Sequence, residues 1–467
     1  MSDGVPSGEV LERGLDRASG TAAIGGNAVT LLFDGPEIYP VMHRMIAEAE
    51  RRIHFENYIF RSDECGTRFA DALIARAREG LVVRVLYDWV GSVGTSRALW
   101  RRMREAGIDV APFNPPRPVQ PFALISRDHR KTMIVDGKRG VTGGHCIGNE
   151  WAGDPGRGRD PWRDTAVAIE GPAARGLDGA FAKMWRRAGR PEYDDTEEVE
   201  AEVAAAGDHV VRVVATRPGD ERAWRTMDLL LGIAGDRIWV TEAYLAGFPR
   251  LFQVFKDAAV EGVDVRLLVP GASDLPMIRN LSRTGYRGLL RAGVRVWEWG
   301  GPMLHAKTTS IDGRWVRVGS SNLNPSSLLA NWELDVFVES RELAQQLDLR
   351  FTDDLAHASE VVTRVRSLPS VPGIGRPTAL VASDPAKPRQ AGHRPWMLER
   401  RRRAYLRVAA LSQAARTALA GSFGAGLLGF AALLALFPRT AAYATAAVAG
   451  AAGVALVVSA FARRHGR

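Results

Sequence analysis

Short apolar runs alternate with polar turns through the first three quarters of this chain, and the elements they predict occur twice. Met133-Ile134-Val135, Asp136-Gly137 and Gly140-Val141-Thr142 read as strand, tight turn and strand; Ile311, Asp312-Gly313 and Val316-Arg317-Val318 repeat the arrangement. Val83–Leu86 and Val265–Leu268 predict further strands, and the stretches 67–79 and 249–261 predict helices. Arg52-Ile53-His54-Phe55-Glu56-Asn57-Tyr58 matches Arg237-Ile238-Trp239-Val240-Thr241-Glu242-Ala243-Tyr244 with one residue inserted, and Gly107–Val110 matches Gly293–Val296. Strands interleaved with helices predict an α/β layered domain, here in two copies.

The duplication carries chemistry. His129, Lys131 and Asp136 share the spacing H-x-K-x-x-x-x-D with His305, Lys307 and Asp312, and Gly143-Gly144 follows the first copy where Gly319-Ser320 follows the second. Side chains two apart on a strand share a face, so each His stands beside its Lys. An ammonium and an imidazole on one surface suit a phosphate, the Lys giving charge and donors and the His acting as nucleophile or proton carrier. Asp136 and Asp312 each precede Gly and, taken singly, read as turn residues. A turn has no need of a His seven residues earlier, twice, which favours one site built from both halves.

At 467 residues, 46% apolar and 25% charged, the chain can bury two ordinary cores. Cys65 and Cys146 form no metal-ligand spacing or disulfide framework, so a reducing compartment is expected, and the N-terminal residues lack the apolar run of a signal peptide. The net charge of +9 suggests nucleic acid until it is divided: residues 393–467 hold eleven Arg against one Glu, a net +10, which leaves −1 for the other 392 residues. A near-neutral body speaks against DNA or RNA as substrate.

Near the C-terminus the pattern changes. Residues 418–437 and 441–462 carry no charge, and at about 1.5 Å per residue each is long enough for a hydrocarbon core of about 30 Å. Small residues at four-residue spacing, Gly421, Ala425 and Gly429 with Ala446 and Gly450, let two such helices approach closely. Arg400–Arg403, Arg407 and Arg416 precede the first span and Arg463, Arg464 and Arg467 follow the second, against Arg439 alone between them. A transmembrane helical hairpin is expected, with both ends and the catalytic body on the cytoplasmic side.

The paired motifs, with Trp162-Arg163-Asp164-Thr165 and Glu170-Gly171-Pro172 in the first half and Gly319-Ser320-Ser321-Asn322-Leu323-Asn324 and Asn331-Trp332-Glu333 in the second, resemble the phospholipase D superfamily. Within it they look like bacterial cardiolipin synthases, over about residues 27–356. The resemblance implies two phospholipase D-like α/β/α lobes related by a pseudo-two-fold axis, and phosphatidyl transfer without cofactor or metal through a covalent phosphohistidine. It assigns His129 as nucleophile and His305 as acid and base. Lys131, Lys307, Ser320 and Asn322 then hold the phosphate, and Asp164 and Glu333 each orient the imidazole of their own half. Asp136 and Asp312 complete the motifs, mainly as structural supports. One departure stands out: Cys146 occupies the place of the family's usual Asn, between His145 and the nearby Asn149.

These readings predict an N-terminal extension (1–26), a first lobe (27–190), an acidic linker (191–209), a second lobe (210–356), a Pro-containing tether (357–398) and a basic, membrane-spanning tail (399–467). The expected protein is a phosphatidyltransferase of the bacterial inner membrane that moves a phosphatidyl group from a phospholipid to phosphatidylglycerol and does not bind nucleic acid. A phospholipase D delivering the group to water shares every catalytic residue. A nucleic-acid phosphodiesterase fits the charge poorly, and a membrane scaffold with a relic domain fits poorly with both His and both Lys in place.

Overall fold

The computed structural model describes residues 8–116, 126–191, 203–246 and 249–362. In the first lobe the strands are β1 (Ile24–Phe33), β2 (Arg52–Asn57), β3 (Val82–Asp88), β4 (Asp109–Phe113), β5 (Arg127–Asp128), β6 (Lys131–Val135), β7 (Arg139–Gly143) and β8 (Thr165–Glu170). In the second they are β9 (His209–Thr216), β10 (Arg237–Glu242), β11 (Asp264–Pro270), β12 (Arg295–Trp299), β13 (Lys307–Ile311), β14 (Trp315–Gly319), β15 (Asn331–Glu339) and β16 (Ala358–Glu360). Outward from the middle, the first lobe runs β1-β8-β7-β6-β2-β3-β4 and the second β9-β15-β14-β13-β10-β11-β12, with β16 added at the far edge. The strand orders are identical, and β1 pairs antiparallel with β9 to join the halves. The repeat seen in the residues is therefore a repeat of topology.

Alternation along each strand builds the layers. Met133 and Val135 of β6 pack into a core with the helices Asp34–Ala47, Glu64–Arg78 and Arg97–Glu105, while Ile134 between them joins the opposite face, under the helix Ala174–Arg187. That second face is shared, because Val316, Val318, Leu334 and Val336 of the other lobe and the helix Arg341–Ala356 pack into the same cluster. The helix predicted from Thr67 begins at Glu64, since the Asp63 carboxylate accepts from the Gly66 N–H at 2.9 Å and caps it earlier. At the N-terminus Gly8–Ser19 is a helix whose Leu11 and Leu15 enter the second lobe's core, with Glu12 and Asp16 paired to the buried Arg212 at 2.8 and 2.6 Å. The second lobe reaches past residue 356, since β16 pairs with β12.

Asp136 and Asp312 sit at φ of 55° and 52°, each followed by a left-handed Gly, the geometry of a tight hairpin turn. The Asp136 carboxylate accepts backbone N–H groups of Glu50, Arg51 and Arg52 at 2.9–3.0 Å, and Asp312 those of Gly235, Asp236 and Arg237 at 2.8–2.9 Å. Each ties its hairpin to the loop that enters the neighbouring strand.

Two buried arginines of the first lobe fasten it to the second. Arg130 donates to the carbonyls of Glu333 and Thr216 at 3.1 and 3.0 Å, and Arg163 pairs with Asp354 at 2.8 Å and with Asp34 at 3.4 Å. Replacing Arg163 with Ala removes the guanidinium hydrogen bonds from the Asp354 carboxylate, which is only 1% exposed, and leaves it Arg350 alone at 3.1 Å. Urea unfolding of the variant is expected to show a loss of about 1.5–3 kcal/mol, the range for hydrogen bonds to a charged group.

Among the described residues no helix is long and apolar enough to cross a membrane. The spans 418–437 and 441–462, the basic run before them, most of the tether and residues 192–202 of the acidic linker lie outside the described residues.

Candidate active site

Each catalytic motif is entered by a short exchange between lobes. Arg127–Asp128 pair in parallel with Asn331–Trp332, and the next N–H, that of His129, donates to the Trp332 carbonyl at 2.9 Å. In the other half Arg163 bridges to Leu304, and the His305 N–H donates to the Arg163 carbonyl at 2.7 Å. Both imidazoles are thereby laid against the partner lobe. His129 Nδ1 meets Glu333 Oε2 at 2.9 Å, and His305 Nδ1 meets Asp164 Oδ2 at 2.8 Å. The expectation that each carboxylate serves the imidazole of its own half is thus corrected. Asp164 and Glu333 orient the histidines, but across the seam, because the strand residue before each carboxylate is where the other half's motif docks.

The carboxylates are themselves held. Glu333 accepts from Ser320 Oγ and Ser327 Oγ, both at 2.6 Å, and from Asn331 Nδ2 at 3.1 Å. Asp164 accepts from Trp151 Nε1 at 3.0 Å and from the Thr165 N–H at 2.8 Å. A Cβ on Gly144, the position matching Ser320, would lie 2.2 Å from Asp164 Oδ1, so this half takes its second donor from the indole instead. Burial pushes both carboxylates up, yet the histidine opposite and the donors outweigh it and hold both below the usual range.

Aromatic rings frame the imidazoles in matching positions. Tyr58 lies edge-on to His129 at 4.9 Å and Tyr244 to His305 at 5.9 Å, with Lys131 and Lys307 over the same two rings at 5.1 and 5.8 Å. Lys131 donates to the His129 carbonyl and Lys307 to the His305 carbonyl. Lys131 depresses His305 and Lys307 depresses His129, as expected of a single cluster drawn from both lobes. Burial, then Lys307, brings His305 down to about 4 against the pull of Asp164, and burial likewise lowers His129. Both rings are therefore neutral near pH 7; the carboxylate at each Nδ1 can only accept, which places the proton on Nδ1 and the lone pair on Nε2, and among the described residues Nε2 has no hydrogen-bond partner. This is the form of imidazole that can attack phosphorus.

Glu242 adds an asymmetry. It pairs in register with Lys307 where Asn57 pairs with Lys131, and burial raises it to about 7. Lys307 is brought down to about 8, chiefly by burial, with Lys131 adding to the effect and Asp164 and Glu242 opposing it. A charged Lys307 attracts phosphate, so kcat/KM is expected to fall as pH rises through about 8. Removing the opposing carboxylate with Glu242→Gln is expected to move that alkaline limb to lower pH, as a pH–rate profile would record; an unmoved limb would contradict the pairing.

The chain matches the family model described as cardiolipin synthase, PLD-like domain, over residues 42–185 and 229–355. It is 31% identical over 343 residues to a probable cardiolipin synthase of Bacillus subtilis, covering 71% of this chain and 67% of the relative. It is 32% identical over 363 residues to cardiolipin synthase 2 of Bacillus cereus, covering 76% and 69%. The chain belongs to the PLD-like cardiolipin synthase family. The solved phosphatidylserine synthase of Haemophilus influenzae shares its fold, with a TM-score of 0.60 at 16% identity over 75% of this chain and 92% of that one.

Of the residues read from the sequence, the structure of this cardiolipin synthase family member gathers His129, Lys131, Asp164, His305, Lys307, Ser320 and Glu333 into one cluster. It does not bring Asp136 or Asp312 there. They lie at the far ends of β6 and β13, five residues or about 16 Å from the lysines. Ser320, expected on the phosphate, instead gives its hydroxyl to Glu333, since the strand ends of β14 and β15 place them side by side. Asn322 is buried, and among the described residues its amide oxygen has no hydrogen-bond partner. Cys146 is also buried, within electrostatic reach of both lysines, and Tyr39 donates to its carbonyl at 2.5 Å. Sequence reasoning missed Trp151, Ser327 and Glu242. The last was legible as the one acidic position in a matched strand pair whose other copy has Asn.

Proposed function

We propose that this cardiolipin synthase family member transfers a phosphatidyl group to phosphatidylglycerol by two displacements at phosphorus. One observation carries the reading: two neutral imidazoles from different lobes, each fixed through Nδ1 by a buried carboxylate and each free at Nε2, share a cluster with two lysines. His129 Nε2 attacks the donor's phosphodiester, a P–N bond forms, and the bond to the headgroup oxygen breaks as His305 supplies its proton. His305 is neutral in the empty site, and the negative phosphodiester favours its protonation on binding. In the second step His305 removes the proton of an incoming lipid hydroxyl, whose oxygen displaces His129 from phosphorus. Lys131 and Lys307 supply positive charge already in place as charge builds on the non-bridging oxygens.

The two uncharged C-terminal spans anchor the body at the inner membrane with its catalytic face in the cytoplasm, and the basic run draws anionic headgroups at about 1 kcal/mol per Arg. The deciding experiment is product analysis by mass spectrometry on the full chain in mixed micelles with phosphatidylglycerol. Cardiolipin and glycerol in equal amounts support transfer; phosphatidic acid alone would make the protein a hydrolase.

A further inference from the structure

Beside the catalytic cluster, on the first lobe, lies a cavity of about 1210 Å³. Its walls come from the helices Asp34–Ala47 and Glu64–Arg78 and from the loop 153–162, and it reaches Trp162 and Pro302. Trp162 belongs to both places, because its indole also packs against His305 at 5.8 Å and Trp151 at 4.5 Å. A ligand seated in this cavity therefore shares one aromatic wall with the histidine that handles the incoming alcohol.

Most charges on these walls are already matched. Arg157 and Arg159 face Asp154 at 3.4 and 3.6 Å, Glu150 faces Arg61 at 3.3 Å, and Asp63 takes the N–H groups of Gly66 and Asn149 at 2.9 and 2.7 Å. His43 is stacked on Phe69 at 4.2 Å, and burial lowers its proton affinity. Among the described residues, Arg68, Glu64 and Asp160 line the cavity without an ion pair or a side-chain hydrogen bond. All three are solvent-exposed; Arg68 offers a cation to a negative group, Glu64 and Asp160 offer acceptors to a hydroxyl, and Tyr39, Pro36 and Pro40 give the cavity an apolar floor.

We propose that this cavity holds the headgroup of the acceptor lipid, a glycerol phosphodiester, with Arg68 on the phosphate and Glu64 or Asp160 on the secondary hydroxyl, which leaves the primary hydroxyl free to reach His305. The assignment rests on the transfer reading above and adds to it a place for the second substrate, separate from the donor's. It also accounts for selection of a lipid alcohol over water: the acceptor is held beside His305 before the covalent intermediate is attacked.

The test uses the full chain in detergent with deacylated phosphatidylglycerol, glycerophosphoglycerol, followed by ligand-observed NMR. Arg68→Glu is expected to weaken binding about tenfold or more, as loss of a charge-assisted contact implies. Arg78→Glu, on the same helix and outside the cavity, serves as control and is expected to bind as the wild type does. Equal binding by Arg68→Glu would overturn the site, and so would displacement by inorganic phosphate at the same concentration, which would mean that only an anion is read. With phosphatidylglycerol as substrate, Arg68→Glu is expected to lower the ratio of cardiolipin to phosphatidic acid by a similar factor; weakened binding with an unchanged ratio would overturn the acceptor role. A wild type that binds the headgroup yet yields only phosphatidic acid would sink the transfer reading, and the acceptor role with it, while keeping the headgroup site.

Discussion

Cardiolipin formation is expected to fall by about 10⁴-fold or more when either His129 or His305 is replaced by Ala, because neither ring can stand in for the other. Each is pinned through Nδ1 to its own buried carboxylate and backed by its own tyrosine, so neither can swing into the vacant place. The two losses should nevertheless differ in kind. A donor with an acidic leaving group, such as a p-nitrophenyl phosphatidyl ester, departs without a proton. It should restore much of the first step to His305→Ala and nothing to His129→Ala. Release of p-nitrophenol in single-turnover experiments measures this directly, and rescue of the opposite variant would reverse the roles assigned to the two rings.

Glu333→Gln is expected to slow turnover by about 10²–10⁴-fold although the residue belongs to the other lobe. A carboxylate can only accept at His129 Nδ1, which leaves the lone pair on Nε2 facing phosphorus; an amide that presents its NH₂ selects the opposite tautomer. Ser320, Ser327 and Asn331, all donors to the carboxylate, would meet the same mismatch. The defect should lie in forming the phosphohistidine, so rapid-quench analysis should show slow accumulation of the labelled enzyme. Asp164→Asn should instead impair proton transfer at His305 and be relieved by the activated ester. An unchanged rate of labelling in Glu333→Gln would contradict the cross-lobe pairing.

Much of this arrangement was legible beforehand. The paired motifs identified the four basic residues, and the matched strands around Arg52 and Arg237 foretold a duplicated sheet, because alternation along a strand is recorded residue by residue. The crossing of the carboxylates was not legible. It depends on a pairing only two residues long, between Arg127–Asp128 and Asn331–Trp332, too short to leave a periodic signal. Trp151 was hidden for a related reason. Its role follows from the absence of a side chain at Gly144, a steric fact that appears only once Asp164 is in place. Asp136 and Asp312 show the converse case, where spacing grouped them with the catalytic residues while the turn chemistry of Asp-Gly described their work correctly.

The exchange of partners across the seam also sets when the protein becomes active during its synthesis. A nascent chain that has left the ribosome as far as the end of the first lobe carries His129 and Lys131 but lacks Glu333 to choose the tautomer, Ser320 to hold Glu333, and His305 to move the proton. Its Asp164 waits without an imidazole. A complete site forms only after residue 333 has emerged and the second lobe has packed on the first, so a copy that ends within the first lobe is expected to be inactive.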